Sequence, residues 1–362
     1  MNVLIFGHGI IAETKYKPNL SKAYSREDKT AELQLLFVDI HKKNCFEVDN
    51  WENEPQLPVK EIKKIIILSP PTAHLSNFKS IVSKFLSPRF QFPEIYIEKP
   101  IYLESEKKKW LIILKRNPLL EKKVFYIDHY RFKDSIDFFL EDKKKYLDVL
   151  GPIKEIAFVS LEKQKYWDSS AFNFGYFLEH GCHFFGMLDR VFPEISGCDF
   201  APYKKSLWKK WEQSGRPSNC KEDSAVLLFL KIEGSKEQLF SKFKKTTIII
   251  GKGMIDKKFL YVEGEKGFCQ LFFNENRNVI KTSTLEKTVI RKRAKDSYEN
   301  VAKNILSSKK DPHLLIPLKK GIADQENVIK IRKHFPKNMG KYDYGEIPVE
   351  IKRELLRLKA GE

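Results

Sequence analysis

The tripeptide Glu98-Lys99-Pro100 places a carboxylate and an amine at the end of the apolar run PEIYIEKP. This run has the pattern of a short buried strand, and ligands of open α/β sheets bind at the carboxyl ends of strands. A lysine held there by a neighbouring carboxylate can orient a substrate hydroxyl, with Glu98 as its anchor. The alternative is a surface ion pair at an exposed strand end, and the tripeptide alone does not decide between the two.

A second acid–base pair lies in the stretch Glu179-His180-Gly181-Cys182-His183. Glu179 and His183 are four positions apart, so they share one face of a predicted helix. An imidazole titrates near neutral pH, which suits a group that accepts a proton from a hydroxyl. The alternative is a structural histidine packed among the aromatic residues that follow it. A metal is not expected, because a third ligand is missing.

The N-terminus carries a dinucleotide-binding pattern. An apolar run ends at Gly7, and the segment Gly7-His8-Gly9-Ile10-Ile11-Ala12 fits G-x-G-x-x-A. In dinucleotide-binding folds the first glycine makes a tight turn and the second admits a pyrophosphate. The small third residue lets the helix pack on the strand. All six residues of this segment are therefore predicted to contact a cofactor.

Asp39 follows the second predicted strand, residues 35–38, where an acid commonly holds ribose hydroxyls. Its distance from Gly7 exceeds the usual spacing of about 20 residues. The extra length lies in a polar insertion that contains Pro18. A carboxylate repels a 2′-phosphate, which favours NAD. Lys42 and Lys43 follow closely and would suit that phosphate, so NADP stays open.

Two further strand ends carry polar residues. The strand at residues 65–68 ends in Ser69-Pro70-Pro71, with His74 beyond. We expect Ser69, Pro70, His74, Glu98 and Lys99 to contact a cofactor, with His74 on the nicotinamide side; the alternative is that His74 caps its helix. The strand at residues 124–127 is followed by Asp128, His129 and Tyr130. These residues and Lys133 would suit contacts with sugar hydroxyls or an anionic group. The alternative is that the residues after this strand form a polar junction between domains.

The order of elements predicts an α/β protein with two domains. Strands alternate with helices up to about residue 130, which is typical of a parallel, doubly wound Rossmann domain that binds a dinucleotide. Longer β-rich runs follow Gly151-Pro152, and Glu263–Gly267 has the pattern of a hairpin turn. We therefore predict a second, α+β domain at residues 131–362 with an open, mainly antiparallel sheet. It would bind substrate and mediate oligomerisation, and a C-terminal helix is expected to return to the first domain.

Composition limits the classes of protein. The 362 residues are 42% hydrophobic and 13% aromatic, enough for two packed cores rather than a disordered chain. No apolar run reaches the roughly 18 residues of a membrane span. The N-terminus lacks a signal-peptide pattern, and five scattered cysteines favour a reducing cytoplasm. The net charge of +18 is spread over short lysine runs without a nucleic-acid motif. We expect neither a nucleic-acid nor a membrane partner, and a nucleic-acid-binding protein is an alternative that rests on charge alone.

Taken in order, these motifs resemble the Gfo/Idh/MocA oxidoreductases. The resemblance rests on the glycine segment, the S-P-P strand followed by histidine, the E-K-P strand and the E-x-G-x-H helix, in which Glu179 replaces the family's aspartate. It implies an NAD(P)-dependent dehydrogenase or reductase acting on the CH–OH group of a sugar, sugar phosphate or nucleotide sugar. It also implies that Lys99 and His183 handle the proton and that Glu179 contacts substrate. A homodimer or homotetramer formed through the outer face of the second sheet would follow.

A narrower resemblance involves Asp128-His129-Tyr130-Arg131-Phe132-Lys133. This segment is similar to the D-H-Y-x-x-K segment of glucose-6-phosphate dehydrogenase, which implies contacts with a sugar or its phosphate. The stretch Lys15–Leu20 is similar to the first helix of that family, although this chain is shorter and its glycine motif differs. We therefore expect a sugar dehydrogenase of the wider superfamily. The alternative is a non-catalytic dinucleotide or sugar sensor, and the presence of both Lys99 and His183 argues against it.

Overall fold

The computed structural model describes most of the chain. The described residues are 1–27, 32–39, 45–47, 51, 54–162, 176–195, 198–207, 225–233, 238–252, 256–273, 277–282, 286–290, 296–307, 311, 314–334 and 351. The chain divides into two compact units, Met1–Phe132 with Lys295–Gln325 and Lys133–Ala294 with Glu326–Glu362. The single boundary predicted after residue 130 stays a prediction.

The first unit is built on a seven-stranded sheet. Its strands are β1 (Asn2–Phe6), β2 (Gln34–Asp39), β3 (Phe46–Glu47), β4 (Ile62–Ile67), β5 (Glu94–Glu98), β6 (Val124–Ile127) and β15 (Ile316–Pro317). They lie in the order β15-β6-β5-β4-β1-β2-β3, with β1 to β6 parallel and β15 antiparallel to β6. The centres of β1, β4 and β5 are fully buried because helices cover both faces of such a sheet.

Helices connect these strands. They are α1 (Lys17–Glu27), which follows a π-helical turn at Ala12–Tyr16, α2 (Pro71–Phe85), α3 (Lys107–Arg116), α4 (Leu119–Lys123) and α8 (Ser297–Leu306). Helix α8 begins at Ser297 because the Asp296 side chain accepts a hydrogen bond from the backbone N–H of Tyr298. It packs on α1 and on the 3-10 turn at His129–Phe132. Helix α8, which lies far from α1 in the sequence, therefore completes the core beside α1.

The second unit is built on an eight-stranded sheet. Its strands are β7 (Ile153–Glu162), β8 (Asp199–Leu207), β9 (Ala225–Glu233), β10 (Lys245–Lys252), β11 (Lys257–Gly264), β12 (Gly267–Phe272), β13 (Arg277–Thr282) and β14 (Glu286–Ile290). They lie in the order β14-β13-β12-β11-β7-β10-β9-β8, and every neighbouring pair is antiparallel except β7 with β10. Helices α5 (Asp134–Glu141), α6 (Lys143–Leu150) and α7 (Tyr176–Val191) pack on this sheet. Helix α9 (Leu318–Lys333) begins in the first unit and ends in the second.

The predicted fold class is confirmed. The first sheet has the strand order 3-2-1-4-5-6 of a doubly wound dinucleotide-binding fold, and the second sheet is mainly antiparallel. The predicted hairpin is confirmed between β11 and β12. The pairing of β13 with β14 was not predicted, because their sequences lack a strong apolar pattern. None of the described helices combines the length and apolar character that crossing a membrane requires.

Candidate functional site

The turn after β1 is built around Gly7. Its φ is +94°, and its N–H donates to the carbonyl of Val38 on β2 at 2.8 Å. A Cβ at this position would lie 2.6 Å from the backbone nitrogen of Ser69, which follows β4. Only glycine therefore tolerates both the positive φ and the close approach of the chain after β4.

Gly9 has the opposite surroundings. A Cβ at Gly9 would meet no atom within 4 Å, and its carbonyl accepts the N–H of Glu13, so the helix starts at this point. Ile10 is 79% exposed and Ile11 is 45% exposed, which is unusual for isoleucine. Free N–H groups at a helix start beside open space are what a pyrophosphate needs. This part of the turn fits a dinucleotide.

Asp39 lies next to this turn. Its Oδ2 accepts a hydrogen bond of 2.6 Å from the backbone N–H of His8. The imidazole of His8 lies 4.3 Å from the ring of Phe37, its Nδ1 is 3.1 Å from Cys45 Sγ, and its Nε2 pairs with Glu13. The carboxylate predicted to hold ribose hydroxyls is therefore fixed beside the glycine turn. The side-chain contacts of His8 were not predicted, and no local pattern signals them.

His74 is buried between two strand ends. Its Nε2 is 2.6 Å from the carbonyl oxygen of Ser69, and its Nδ1 is 3.1 Å from that of Ile101. Burial lowers the pKa of His74 to about 4, so the ring is neutral at physiological pH. Asn77 also donates to Ser69 Oγ at 2.9 Å. These contacts hold the segment after β4, in which Pro70 precedes α2. Contact of Ser69, Pro70 and His74 with a cofactor stays a prediction.

Glu98 joins the end of β5 to the turn that precedes α1. The hydroxyl of Tyr16 donates to Glu98 Oε1 at 2.5 Å, and the backbone N–H of Lys99 donates to Oε2 at 3.2 Å. Burial raises the pKa of Glu98 to about 7, against the lowering effects of the Tyr16 hydrogen bond and the Lys99 charge, and the charge of Asp128 raises it further. The carboxyl beside the candidate catalytic lysine therefore titrates near neutral pH.

The segment that follows Lys99 is fixed by Gln325 of α9. The Lys99–Pro100 peptide bond is cis. Gln325 Oε1 accepts the N–H of Ile101 at 2.7 Å, and its Nε2 donates to the carbonyl of Tyr102 at 2.5 Å. One buried amide thus satisfies two backbone groups. Sequence reasoning missed Gln325, because its distance along the chain leaves no local signal.

Asp128 and His129 lie at the end of β6. Asp128 is fully buried, and its Oδ1 accepts the N–H of Tyr130 at 3.0 Å. The ring of His129 stacks on Tyr298 of α8 at 4.8 Å and meets Tyr130 edge-on at 4.9 Å. Tyr298 also contacts the ring of Tyr16 at 5.4 Å. The structure therefore brings the predicted residues after β6 into one cluster with Tyr16 and Tyr298. The resemblance at Lys15–Leu20 pointed to Tyr16's segment, and nothing signalled Tyr298.

The second unit contains the remaining candidates. His183 on α7 is 1% exposed and meets His180 edge-on at 5.6 Å. His180 Nδ1 is 2.8 Å from Ser160 Oγ on β7. Lys133 directly precedes α5. Glu179 is described only as part of α7, and Lys42 and Lys43 lie outside the described residues.

No family model and no curated protein sequence matches the chain. Solved structures do. The aldose-aldose oxidoreductase from Caulobacter crescentus complexed with glycerol has a TM-score of 0.66 at 10% identity, covering 92% of this chain and 97% of that one. KijD10, a 3-ketoreductase from Actinomadura kijaniata in complex with TDP-benzene and NADP, has a TM-score of 0.64 at 10% identity, covering 94% and 98%. Biliverdin reductase from Synechocystis sp. PCC 6803, in complex with biliverdin and NADP+, has a TM-score of 0.62 at 13% identity, covering 92% and 98%.

At these identities the likeness concerns the fold. It extends over nearly the whole length of each protein, so both units are shared. The fold expected from the resemblance to the Gfo/Idh/MocA oxidoreductases is therefore confirmed. The narrower resemblance to glucose-6-phosphate dehydrogenase stays a prediction. One fold serves many reactions, so the activity has to be argued from the residues.

Proposed function

We propose that the chain is an NAD(P)-dependent oxidoreductase. It would transfer a hydride between the nicotinamide and a hydroxyl or carbonyl carbon of a sugar, sugar phosphate or nucleotide sugar. One observation carries the proposal. Gly7 is forced against the chain after β4 while Gly9 stays open, at the point where the order of the parallel strands reverses. Dinucleotides bind at that point in folds of this type.

Named residues would hold the cofactor. The open backbone at Gly9 and the helix start at Ile10 and Ile11 suit the pyrophosphate, and Asp39 suits the adenosine ribose. When bound, the nicotinamide supplies the carbon that accepts or donates the hydride. The carboxylate of Asp39 supports a preference for NAD, because it repels a 2′-phosphate. KijD10 and biliverdin reductase were both crystallised with NADP forms, so the preference has to be measured.

The protein itself has to manage a proton. When a hydroxyl carbon loses a hydride, the hydroxyl loses a proton, which needs a base. We assign this step to His183 of the second unit and orientation of the hydroxyl to Lys99 of the first. This assignment rests on the sequence motifs. The hydrogen bond from the backbone N–H of Lys99 to Glu98 supports a fixed position for the lysine's backbone.

The substrate class rests on weaker support. Two of the similar structures are a 3-ketoreductase and an aldose-aldose oxidoreductase, whereas the third is a biliverdin reductase. We assign substrate contacts to Glu179, Asp128, His129, Tyr130 and Lys133. The net charge of +18 suits an anionic sugar derivative. A cytoplasmic location and a homodimer or homotetramer belong to the same proposal.

The experiment starts with cofactor binding. Purified protein should enhance the fluorescence of NADH or NADPH on binding. It should then oxidise or reduce members of a panel of polyols, sugar phosphates and nucleotide sugars, with biliverdin included for comparison. If neither nicotinamide binds, the proposal is wrong. If a nicotinamide binds but no substrate turns over, the sensor alternative is favoured. Light scattering gives the oligomeric state.

A further inference from the structure

A cysteine, a histidine and a glutamate are in contact in that order beside the glycine turn. Cys45 lies immediately before β3, and its Sγ is 3.1 Å from Nδ1 of His8. The other ring nitrogen of His8, Nε2, pairs with the carboxylate of Glu13. A thiol within hydrogen-bond reach of a base, with a third group orienting that base, is the arrangement that activates a cysteine as a nucleophile. The hydride transfer proposed above does not use the Cys45 thiol.

The partners of the His8 ring decide which of its nitrogens carries the hydrogen. An ionised carboxylate only accepts hydrogen bonds, so Nε2 of His8 donates to Glu13. In the neutral ring Nδ1 is then the acceptor, and it faces the S–H of Cys45. Burial raises the pKa of Glu13, but hydrogen bonds from Lys17 and His8 lower it further, so the net shift is downward. Glu13 therefore stays charged and can stabilise the imidazolium that forms when His8 takes a proton.

The thiol is held in place and remains within reach of solvent. The His8 ring lies 4.3 Å from the ring of Phe37, and its side chain is 14% exposed. Cys45 is half-buried and packs against the hydrophobic cluster that contains Phe37. Cys182 and Cys269, in contrast, are buried. A partly exposed thiol beside a base has the surroundings of a reactive cysteine, whereas buried thiols are usually inert.

Cys45 also lies close to the carboxylate that we assign to the adenosine ribose. The backbone N–H of His8 donates to Asp39 Oδ2 at 2.6 Å, so the residue that contacts Cys45 through its ring contacts Asp39 through its backbone. Asp39 is paired with Glu47 of β3, two residues after Cys45. A group attached to Cys45 Sγ would therefore compete for the space that an adenosine beside Asp39 requires.

We propose that Cys45 is a site of thiol–disulfide exchange with a small disulfide, and that the resulting mixed disulfide excludes the adenosine end of the dinucleotide. His8 takes the proton from Cys45, and Sγ attacks one sulfur of the small disulfide. The new S–S bond forms as the old one breaks; Cys45 is oxidised, and the departing sulfur is reduced, leaves with the electron pair and receives the proton from His8. Disulfides of this transient kind occur in reducing compartments as redox sensors. The exchange stands without the proposed function, whereas its effect on the cofactor rests on it.

The first test compares two thiols of the unaltered protein. Cys198 is the internal control, because it is also half-buried but burial and the charge of Asp199 raise its pKa. The protein is incubated with oxidised glutathione at neutral pH, and peptide mass spectrometry follows the mixed disulfide at each cysteine. We expect Cys45 to react at least about tenfold faster than Cys198. Equal rates at the two thiols would overturn the proposal.

The second test removes the base. His8→Phe keeps an aromatic ring against Phe37 but has no ring nitrogen, so exchange at Cys45 should slow by about tenfold while Cys198 reacts as before. If this variant does not fold, Glu13→Gln decides, because Glu13 is at the surface and glutamine can still accept from Nε2 without stabilising an imidazolium. It should slow the exchange several-fold. An unchanged rate at Cys45 in a folded variant would mean that His8 is not the base.

The third test measures the consequence for the cofactor. Treatment with oxidised glutathione should weaken NADH binding to the wild type by at least about tenfold, and dithiothreitol should restore it. Cys45→Ala should bind NADH like the untreated wild type before and after treatment. Equal affinity of the modified and unmodified wild type would overturn the exclusion of adenosine. A wild type that forms the mixed disulfide but binds no nicotinamide before treatment would overturn the effect on the cofactor together with the proposed function, and would leave the exchange site confirmed.

Discussion

The Tyr16 hydroxyl donates a hydrogen bond of 2.5 Å to Glu98 Oε1, which ties the helix after the glycine motif to the end of β5. The other oxygen of this carboxyl accepts the backbone N–H of Lys99. Charged or polar groups face Glu98 from three other elements: Tyr16 from the turn before α1, Asp128 from the end of β6 and Tyr298 from α8. The charge beside the candidate catalytic lysine is therefore set by contacts from three other parts of the chain.

Two substitutions should move the pKa of Glu98 in opposite directions. Tyr16→Phe removes a hydrogen bond that lowers this pKa, so the pKa should rise above about 7. Asp128→Asn removes a negative charge that raises it, so the pKa should fall. Carboxyl NMR of protein with labelled glutamate, assigned with Glu98→Gln, measures both shifts. Shifts of the same sign in the two variants would contradict this account of the site.

Glu98 should also make stability depend on pH. The folded protein keeps this proton up to about pH 7, whereas the unfolded chain loses it near 4.5, the ordinary pKa of a glutamate side chain. Between these values the unfolded state binds fewer protons, so stability falls as pH rises. Glu98→Gln removes this penalty. Its stability relative to wild type should grow by about 1–3 kcal/mol between pH 5 and pH 8.

Urea unfolding at several pH values measures that difference. Burial also raises the pKa of Glu155 to about 7, but Glu155 is unchanged in both proteins and cancels in the comparison. Parallel stability profiles for wild type and Glu98→Gln would show that Glu98 titrates alike in the folded and unfolded chains.

The two glycines of the motif should respond differently to substitution. Gly9→Val places its side chain in open space, so thermal stability should stay near wild type while NADH binding falls by about a hundredfold or more. Gly7→Ala meets the backbone of Ser69 at a positive φ and should lose about 1–3 kcal/mol or more of stability. Calorimetry and fluorescence titration measure the two effects. A stable Gly9→Val protein that binds NADH normally would remove this turn from the cofactor site.

Asp39 should decide between the two nicotinamide cofactors. Asp39→Asn keeps an oxygen that can accept the His8 N–H but removes the charge that repels a 2′-phosphate. The ratio of NADPH to NADH affinity should rise about tenfold, which corresponds to about 1.4 kcal/mol. Titrations of wild type and variant with both cofactors give the ratio. An unchanged ratio would mean that Asp39 does not face the adenosine ribose.

Lys99 and His183 should affect turnover more than cofactor binding. Lys99→Met and His183→Gln should each lower kcat by about 10²- to 10⁴-fold, the usual contribution of a positioned proton-transfer group. The dissociation constant of the cofactor should stay near the wild-type value. His180→Gln is the matched control, because His180 is buried on the same helix and contacts the His183 ring. Equal losses from His180→Gln and His183→Gln would assign His183 a structural role.

Much of the fold could be predicted because local patterns encode it. The buried strands of the first sheet are short continuous apolar runs, and each ends in glycine, proline or polar residues. The glycine turn was predicted from spacing alone. The structure shows why no other residue fits at Gly7, since its φ is positive and a Cβ would clash with the backbone of Ser69. Strands β13 and β14, the last two at one side of the second sheet, escaped prediction because strands near a sheet edge can pair without a strong apolar alternation.

The sequence by itself determined the two-part architecture, the position of the glycine turn after β1 and the candidate residues at the strand ends. Tertiary structure alone decided which residues far apart in the chain meet: Tyr16 with Glu98, Tyr298 with His129, Gln325 with the chain after Lys99, and Ile351 with the apolar cluster on β7, β10, β11 and β12. The physical reason is the range of the interactions. Periodicity and turn chemistry act over a few neighbouring residues, whereas these contacts form only when segments far apart in the chain pack into one core.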